Sequence, residues 1–383
     1  MKSIADLLTS LRSYKLLLLV LIPVIVLLIP SRVSQLSVEP VWGLDKSSLE
    51  LAFHRTDMKP SPSFMGHFTA GSRVVYYNAN GTIKKADAVP PGSRTSAADR
   101  VMAYAVYENY GHIVRLRTSD GVERKIRSDS YPFMSKDGKY ALFITGEAEG
   151  IRLFEVPSAT FGSNVLSGDL ILDIRCGSSN FYCATLSGFY MKVCPSRVRG
   201  LPEISEKKFR QAVSGIPLVK RIALSEDERR VACLSGLYPE FIYVYDNVRD
   251  RLIARIKTLE NKRGKAFLCF APDGRSVLEE NKSGFAVYSV ASARARLRYA
   301  DPAWKGKKYL SAVWINRSQI LAAVTLSDGT TRLQIVGLDG RKVWDEAIGG
   351  RWCELRRIGA RRFLLETDSE IRLIDIGQKG FGG

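Results

Sequence analysis

The feature that most constrains this chain is a turn that keeps returning. In "FAPDGRSVLEENKSGFAVYSV", residues 270–290, an apolar run enters Pro-Asp-Gly, a second run follows, Lys-Ser-Gly turns the chain again, and a third run closes the unit. "MSKDGKYALFITGEAEGIRLFEV" puts Asp137 in the slot of Asp273, "LSEDERRVACLSGLYPEFIYVYD" puts Asp227 there, "WINRSQILAAVTLSDGTTRLQIV" offers Arg317 and "RIGARRFLLETDSEIRLIDI" offers Ala360. Asp227, Asp273, Arg317 and Ala360 are 46, 44 and 43 residues apart, and the 90 residues from Asp137 to Asp227 hold one more copy, "IRCGSSNFYCATLSGFYMKV", with its turn at Ser179. "TSAADRVMAYAVYENYGHIVRLRT" adds an earlier turn at Ala98.

A period near 40 to 45 residues with three or four strands per repeat is the signature of a β-propeller blade. Helical repeats of similar length need apolar residues at i, i+3, i+4 and i+7, whereas these runs are short, β-branched and aromatic, and punctuated by Gly, Asp, Asn and Ser. The expectation is all-β: a seven-bladed β-propeller over residues 45–377, with eight blades as the alternative if residues 48–90 build one more. Inner strands should be apolar throughout and a charged strand such as "DRLIARIKT" should lie outermost. The last copy lacks its outer strand, and the second strand of "SRVVYYNANGTIKKADAV" is expected to fill it, joining the chain ends and removing exposed edges.

"IYVYDNVRDRLIARIKT" resembles the repeat of WD-repeat-like bacterial propellers, and "LQIVGLDGRKVWDEAIGG" resembles that of the quinoprotein-like (PQQ-type) propellers, which include scaffolds of the outer-membrane assembly machinery. The resemblance covers most of residues 70–377. It implies a propeller fold and, for the scaffold members, a role in docking other envelope proteins.

Ahead of the repeats, "LLLLVLIPVIVLLIP", Leu16 to Pro30, has no charge, and thirteen of its fifteen residues are Leu, Ile or Val. Each favours the bilayer by roughly 0.3–0.6 kcal/mol on an insertion scale. Segment 14–31, with Leu16, Leu19, Ile22, Ile25 and Leu28, therefore reads as a transmembrane helix in contact with membrane lipid. Lys2, Arg12 and Lys15 precede the run while Arg32 alone follows closely, so residues 1–13 are expected in the cytoplasm and the rest across a bacterial inner membrane, in the periplasm. A cleaved signal peptide has the same layout; the absence of a small-x-small site after the run favours an uncleaved anchor. Residues 32–44 form a linker and 378–383 a tail.

Fifty-seven Lys and Arg against 39 Asp and Glu give a net charge of +18, which favours acidic partners. Arg249, Arg251 and Arg255 on one outer strand, and Arg294, Arg296 and Arg298 alternating on the next, are expected to form a basic interaction face toward an anionic surface or acidic partner. Nucleic acid is not expected across a membrane. The stretch "RGLPEISEKKFRQAVSGIP", 199–217, reads as a long loop with helix-like spacing of Ile204, Phe209 and Val213, a candidate docking element.

Residues that would dictate a chemistry are sparse. The three His (His54, His67, His112) form no metal-binding spacing, and there is no G-x-S-x-G elbow or P-loop. Asp137, Glu147, Asp227 and Asp273 are the carboxylates that could gather around an axial channel, but an Asp in a β-turn ordinarily binds its own backbone. Six Cys, spread through apolar runs, read as small buried side chains, with one disulfide among Cys176, Cys183 and Cys194 left open. No catalytic residue, metal or cofactor is assigned. The expected function is a non-catalytic scaffold for envelope proteins; the alternative is an extracytoplasmic propeller enzyme or small-ligand binder, lactonase- or dehydrogenase-like, using the central channel.

Overall fold

β-Branched and aromatic runs too short for helices, separated by Gly, Asp and Asn, form a succession of antiparallel strands in the computed structural model. The structure describes the strands at 36–45, 66–70, 73–77, 83–88, 94–98, 101–108, 111–118 and 123–128. It also describes residues 132–378, except 146–149, 167–169, 187–189, 210–218, 236–240, 259–266, 281–282, 352, 358–360 and 369. The anchor residues Leu16, Leu19, Ile22, Ile25 and Leu28 lie outside the described residues, as do Glu147, Val213 and His54. Among the described residues no helix is long and apolar enough to cross a membrane.

After β1 (Leu36–Asp45), the first sheet is three-stranded: β2 (Gly66–Ala70), β3 (Arg73–Tyr77) and β4 (Ile83–Ala88). Six four-stranded sheets follow, each in simple chain order. They are β5 (Arg94–Ala98), β6 (Val101–Glu108), β7 (Gly111–Thr118) and β8 (Glu123–Ser128); then β9 (Phe133–Met134), β10 (Tyr140–Thr145), β11 (Gly150–Glu155) and β12 (Thr160–Leu166). The fourth is β13 (Ile171–Cys176), β14 (Phe181–Thr185), β15 (Tyr190–Val198) and β16 (Leu201–Phe209), and the fifth is β17 (Val219–Leu224), β18 (Arg230–Ser235), β19 (Phe241–Asp246) and β20 (Arg251–Lys257). The sixth is β21 (Leu268–Phe270), β22 (Ser276–Glu280), β23 (Phe285–Ser289) and β24 (Arg294–Tyr299), and the seventh is β25 (Tyr309–Trp314), β26 (Gln319–Thr325), β27 (Thr330–Gly337) and β28 (Lys342–Gly349). The eighth, β29 (Cys353–Arg357), β30 (Arg362–Thr367) and β31 (Glu370–Gln378), is completed by β1 next to β31.

Seven four-stranded sheets agree with the seven expected blades, and the three-stranded sheet lies in the stretch 48–90 named for an eighth. The expected closing strand is corrected. The "SRVVYYNANGTIKKADAV" hairpin stays in its own sheet, β3 paired with β4, and β1 completes the last sheet instead. Contacts divide the chain into Pro40–Asp375, which holds the repeated sheets, and Met1–Glu39 with Ile376–Gly383.

Within Pro40–Asp375 the core consists of wedges between successive sheets. Ala254, Ile256, Leu268, Val277 and Tyr288 join the fifth sheet to the sixth. Leu278, Phe285, Leu297, Leu310 and Trp314 join the sixth to the seventh. Second and third strands are therefore covered on both faces: β14 and β22 are buried at every position, while the outer strands β20 and β24 expose their arginines. The innermost strands are not apolar throughout, contrary to the expectation from sequence: β25 alternates buried and part-exposed positions, and β13 buries only Ile171 and Ile174. Each has a strand on one edge alone, so its other edge must be satisfied by other means. Neighbouring side chains do this. Asp173 Oδ2 accepts from Ile222 N at 3.0 Å, Arg175 Nε donates to Ile222 O at 2.9 Å, and Ser311 Oγ accepts from Leu355 N at 2.9 Å.

The repeats agree in detail. The turn from third to outer strand ends in a left-handed residue in the third, fifth, sixth and seventh sheets: Ala159 (φ 53), Asp250 (φ 52), Ala293 (φ 52) and Gly340 (φ 79). The same four hairpins carry a register shift, between Arg152 and Phe154, Val244 and Tyr245, Val287 and Tyr288, and Ile335 and Val336. A bulge turns every following side chain to the other face, which matters for the arginines described below.

Candidate interaction surface

The turns between first and second strands are built alike. Asp137 Oδ1 accepts from Ser135 Oγ (2.6 Å) and Lys139 N (3.1 Å), Asp227 Oδ1 from Ser225 Oγ (2.6 Å) and Arg229 N (3.1 Å), and Asp273 Oδ1 from Arg275 N (2.9 Å). In the seventh sheet the acceptor is Asn316, which takes Ser318 N at 2.8 Å, one residue before the expected Arg317, because that turn closes one residue sooner. These carboxylates thus serve their own backbone, the ordinary role of a turn Asp.

Successive turns also clasp one another. Lys136 N and Asp137 N donate to Gly177 O and Ser178 O, both at 3.0 Å. Glu228 accepts from Ser178 N and, at 3.2 Å, from Tyr182 Oη, and Arg230 Nη1 donates to Gly274 O. Arg317 stands 3.8 Å from Asp273. Arg357, at the end of β29, pairs with Glu226 of the fifth sheet at 2.8 Å although two sheets separate them in chain order. That distance brings the inner edges of the fifth and eighth sheets together.

Between the fifth-sheet turns and the Asp273 turn of the sixth lies a surface-open groove of about 470 Å³, lined by Asp227, Arg229, Arg230, Asp246, Val248, Arg249, Asp273 and Gly274. Its carboxylates are engaged. Burial raises the pKa of Asp227, but hydrogen bonds from Ser225 and Arg229 N outweigh it and hold the group below its ordinary value. Asp246 is held low first by the Arg249 N–H, which with Val248 N donates to Oδ1 at 3.0 Å. Both stay ionised at neutral pH. Arg229 is 74 % exposed and reaches Asp227 at 3.9 Å, and the Arg249 guanidinium makes no ion pair among the described residues. Val248 between them is 70 % exposed.

The other arginines singled out by sequence do lie on outer strands, and all are exposed, but the bulges part them. Arg298 pairs with Ala286 and faces the fifth sheet. Arg294, opposite Ser289, faces the other way, and Arg296 reaches Ser276 Oγ at 3.4 Å. Arg251 likewise faces the sixth sheet, whereas Arg255 lies 4.1 Å over the Phe241 ring toward the fourth. The expected single basic face becomes basic residues distributed over three clefts. Residues 201–209 are also corrected. They are strand β16, not a helix-like loop, with Ile204 opposite Pro195 and Phe209 opposite Tyr190. A tight Arg199-Gly200 turn (φ 50 and 83) fixes that hairpin.

None of the six cysteines forms a disulfide. Burial pushes the Cys176 thiol up to about 11 and that of Cys269 up to about 12, and it raises Cys233 as well. Among the described residues no three His, Cys, Asp or Glu side chains gather as metal ligands.

No protein-family model matches the chain, and no curated protein does. Solved structures do: Hsv2 of Kluyveromyces lactis superposes with a TM-score of 0.52 at 12 % identity, over 76 % of this chain and 96 % of that one. A chain in the crystal structure of the Mitotic Checkpoint Complex gives 0.50 at 14 %, over 73 % and 86 %. The fold is a β-propeller. The propeller domain of Cps50 (Swd1) from Myceliophteria thermophila also aligns, over 82 % of this chain and 99 % of that one, at 11 % identity and a TM-score of 0.48. At such identities the likeness is one of fold alone, each four-stranded sheet a blade, and the blades keep the numbers of their sheets. The groove between the fifth and sixth blades had a legible part, the Asp turns, and an illegible one. "YDNVRDR" gives no sign that Val248 and Arg249 come to stand beside Arg229, because only the third-to-outer hairpin brings them there.

Proposed function

We propose that this propeller is a non-catalytic protein-interaction scaffold of the cell envelope, held at a bacterial inner membrane by segment 14–31, with residues 45–377 on the periplasmic side. The observation that carries the reading is the division of labour among its polar groups. Turn carboxylates and innermost-strand edges are consumed by bonds within the fold, while arginines on the outer strands and at the blade-five groove stay exposed, Arg229 with no closer carboxylate than Asp227 at 3.9 Å. A surface so arranged binds rather than reacts. One of the similar chains was crystallised within a named multi-protein complex, which accords with docking as the use of such a fold. The charge run before Leu16 supports the orientation.

Fusing a reporter active only outside the cytoplasm after residue 45 tests the placement. Signal is the expected outcome, and signal from a cytoplasmic reporter alone overturns it. Photo-cross-linking from exposed outer-strand positions of the full chain tests the scaffold role. Covalent adducts with a reproducible set of proteins are expected; adducts from no position overturn it.

A further inference from the structure

We propose that the groove between the fifth and sixth blades docks an acidic, extended segment of a partner protein; this names a partner chemistry for the scaffold role above and rests on it. Three features choose the occupant. Arg229 and Arg249 present exposed guanidinium groups from two different turns of one blade, so two carboxylates spaced along a chain can be met at once. Asp227, Asp246 and Asp273 each bind their own turn through Oδ1 and line the same groove, and the Oδ2 atoms of Asp227 and Asp273 stand 3.9 and 3.8 Å from Arg229 and Arg317, ion pairs too long to be hydrogen bonds. The groove therefore offers acceptors beside its donors. A peptide carries both acidic side chains and backbone N–H groups and matches that mixture; a phosphate surface only accepts. Val248, 70 % exposed at the rim, adds an apolar contact of the kind an isolated anion would not use.

The groove has the size of a few residues, not of a folded domain, at about 470 Å³. Arg251, the next residue but one after Arg249, faces the sixth blade, and Arg298 faces the fifth from the opposite wall. Both extend the positive path outward from the groove, along the cleft between the blades. A strand-like segment laid outward from the rim would follow them.

The test uses the full chain in detergent and a fluorescein-labelled peptide alternating Glu with Val, with its Gln counterpart as the neutral probe. Anisotropy should show binding of the acidic peptide alone. Charge reversal in Arg229→Glu/Arg249→Glu should weaken it by about tenfold or more, and the reversal Arg124→Glu/Lys125→Glu on the exposed face of β8 should leave it unchanged. Circular dichroism of each variant reports folding, and Arg249→Gln, the milder change, should lie between. Equal binding by the groove variant and the wild type overturns the proposal, as does no binding of the acidic peptide at low salt. Tighter, groove-dependent binding of anionic vesicles or of an RNA oligonucleotide overturns it in favour of those ligands. If the peptide fails while cross-linked proteins are recovered from other blades, this site is wrong and the scaffold role stands. If no blade yields a cross-linked protein, the scaffold role is itself wrong.

Discussion

Glu228 shows how one residue carries two opposed demands. It occupies the slot that Gly138 (φ 70) and Gly274 (φ 66) fill in neighbouring turns and takes the same left-handed conformation (φ 55), which costs a side-chain-bearing residue roughly 1–2 kcal/mol. Its carboxylate compensates by accepting Ser178 N and Tyr182 Oη from the preceding blade, and bonds to a charged group contribute roughly 1.5–3 kcal/mol each. Glu228→Gly should therefore destabilise the propeller by about 1–3 kcal/mol in spite of relieving the backbone, as read from denaturant midpoints; a gain in stability would show the clasp to be inert. Glu155 makes a comparable clasp between the third and fourth blades. Hydrogen bonds from Arg197 hold its pKa below the ordinary 4.5, with Ser158 assisting. A depressed carboxylate stabilises the fold above its unfolded pKa and loses that contribution as pH falls through the folded one. Acid unfolding should thus begin at higher pH in the wild type than in Glu155→Gln relative to each protein's neutral stability, measured as the slope of melting temperature below pH 4.5.

At the scale of the element, the lesson lies in β16. Ile204, Phe209 and Val213 together come near a helical spacing, and the charged residues between them suit a helix too. What decides is the turn before them: Arg199 and Gly200, both at positive φ, match the twist of a two-residue hairpin and lock nine residue pairs between β15 and β16. An Arg-Gly turn is a weaker sequence signal than Asn-Gly, so the strand was hidden. Gly200→Val should cost about 1–2 kcal/mol through its left-handed backbone, although nothing stands within 4 Å of the added Cβ; an unchanged melting temperature would mean that another feature sets this hairpin. The bulges beside Tyr245 and Tyr288 were equally invisible, and they explain why alternating arginines do not share a face. The Asp turns and their period were legible because each repeat solves the same backbone problem with the same local residues.

For the whole molecule, periodicity predicted repeated four-stranded sheets correctly but named the wrong closing strand. Closure depends on which distant segment meets β31, and the β-rich hairpin at 73–88 carried a stronger strand signal than "LSVEPVWGLD", Leu36–Asp45, which completes the sheet. The site was less legible than the fold, since the groove joins residues from three turns. The most direct test of the docking surface is photo-cross-linking in cells from the full chain, with the reactive group placed at Val248 or Arg251 and, for comparison, at Val343 on the exposed outer strand of the seventh blade. Adducts to an acidic partner from Val248 and Arg251, absent from Val343 and lost with Arg229→Glu, are the predicted result. Equal adducts from all three positions, or adducts from Val343 alone, would contradict the account.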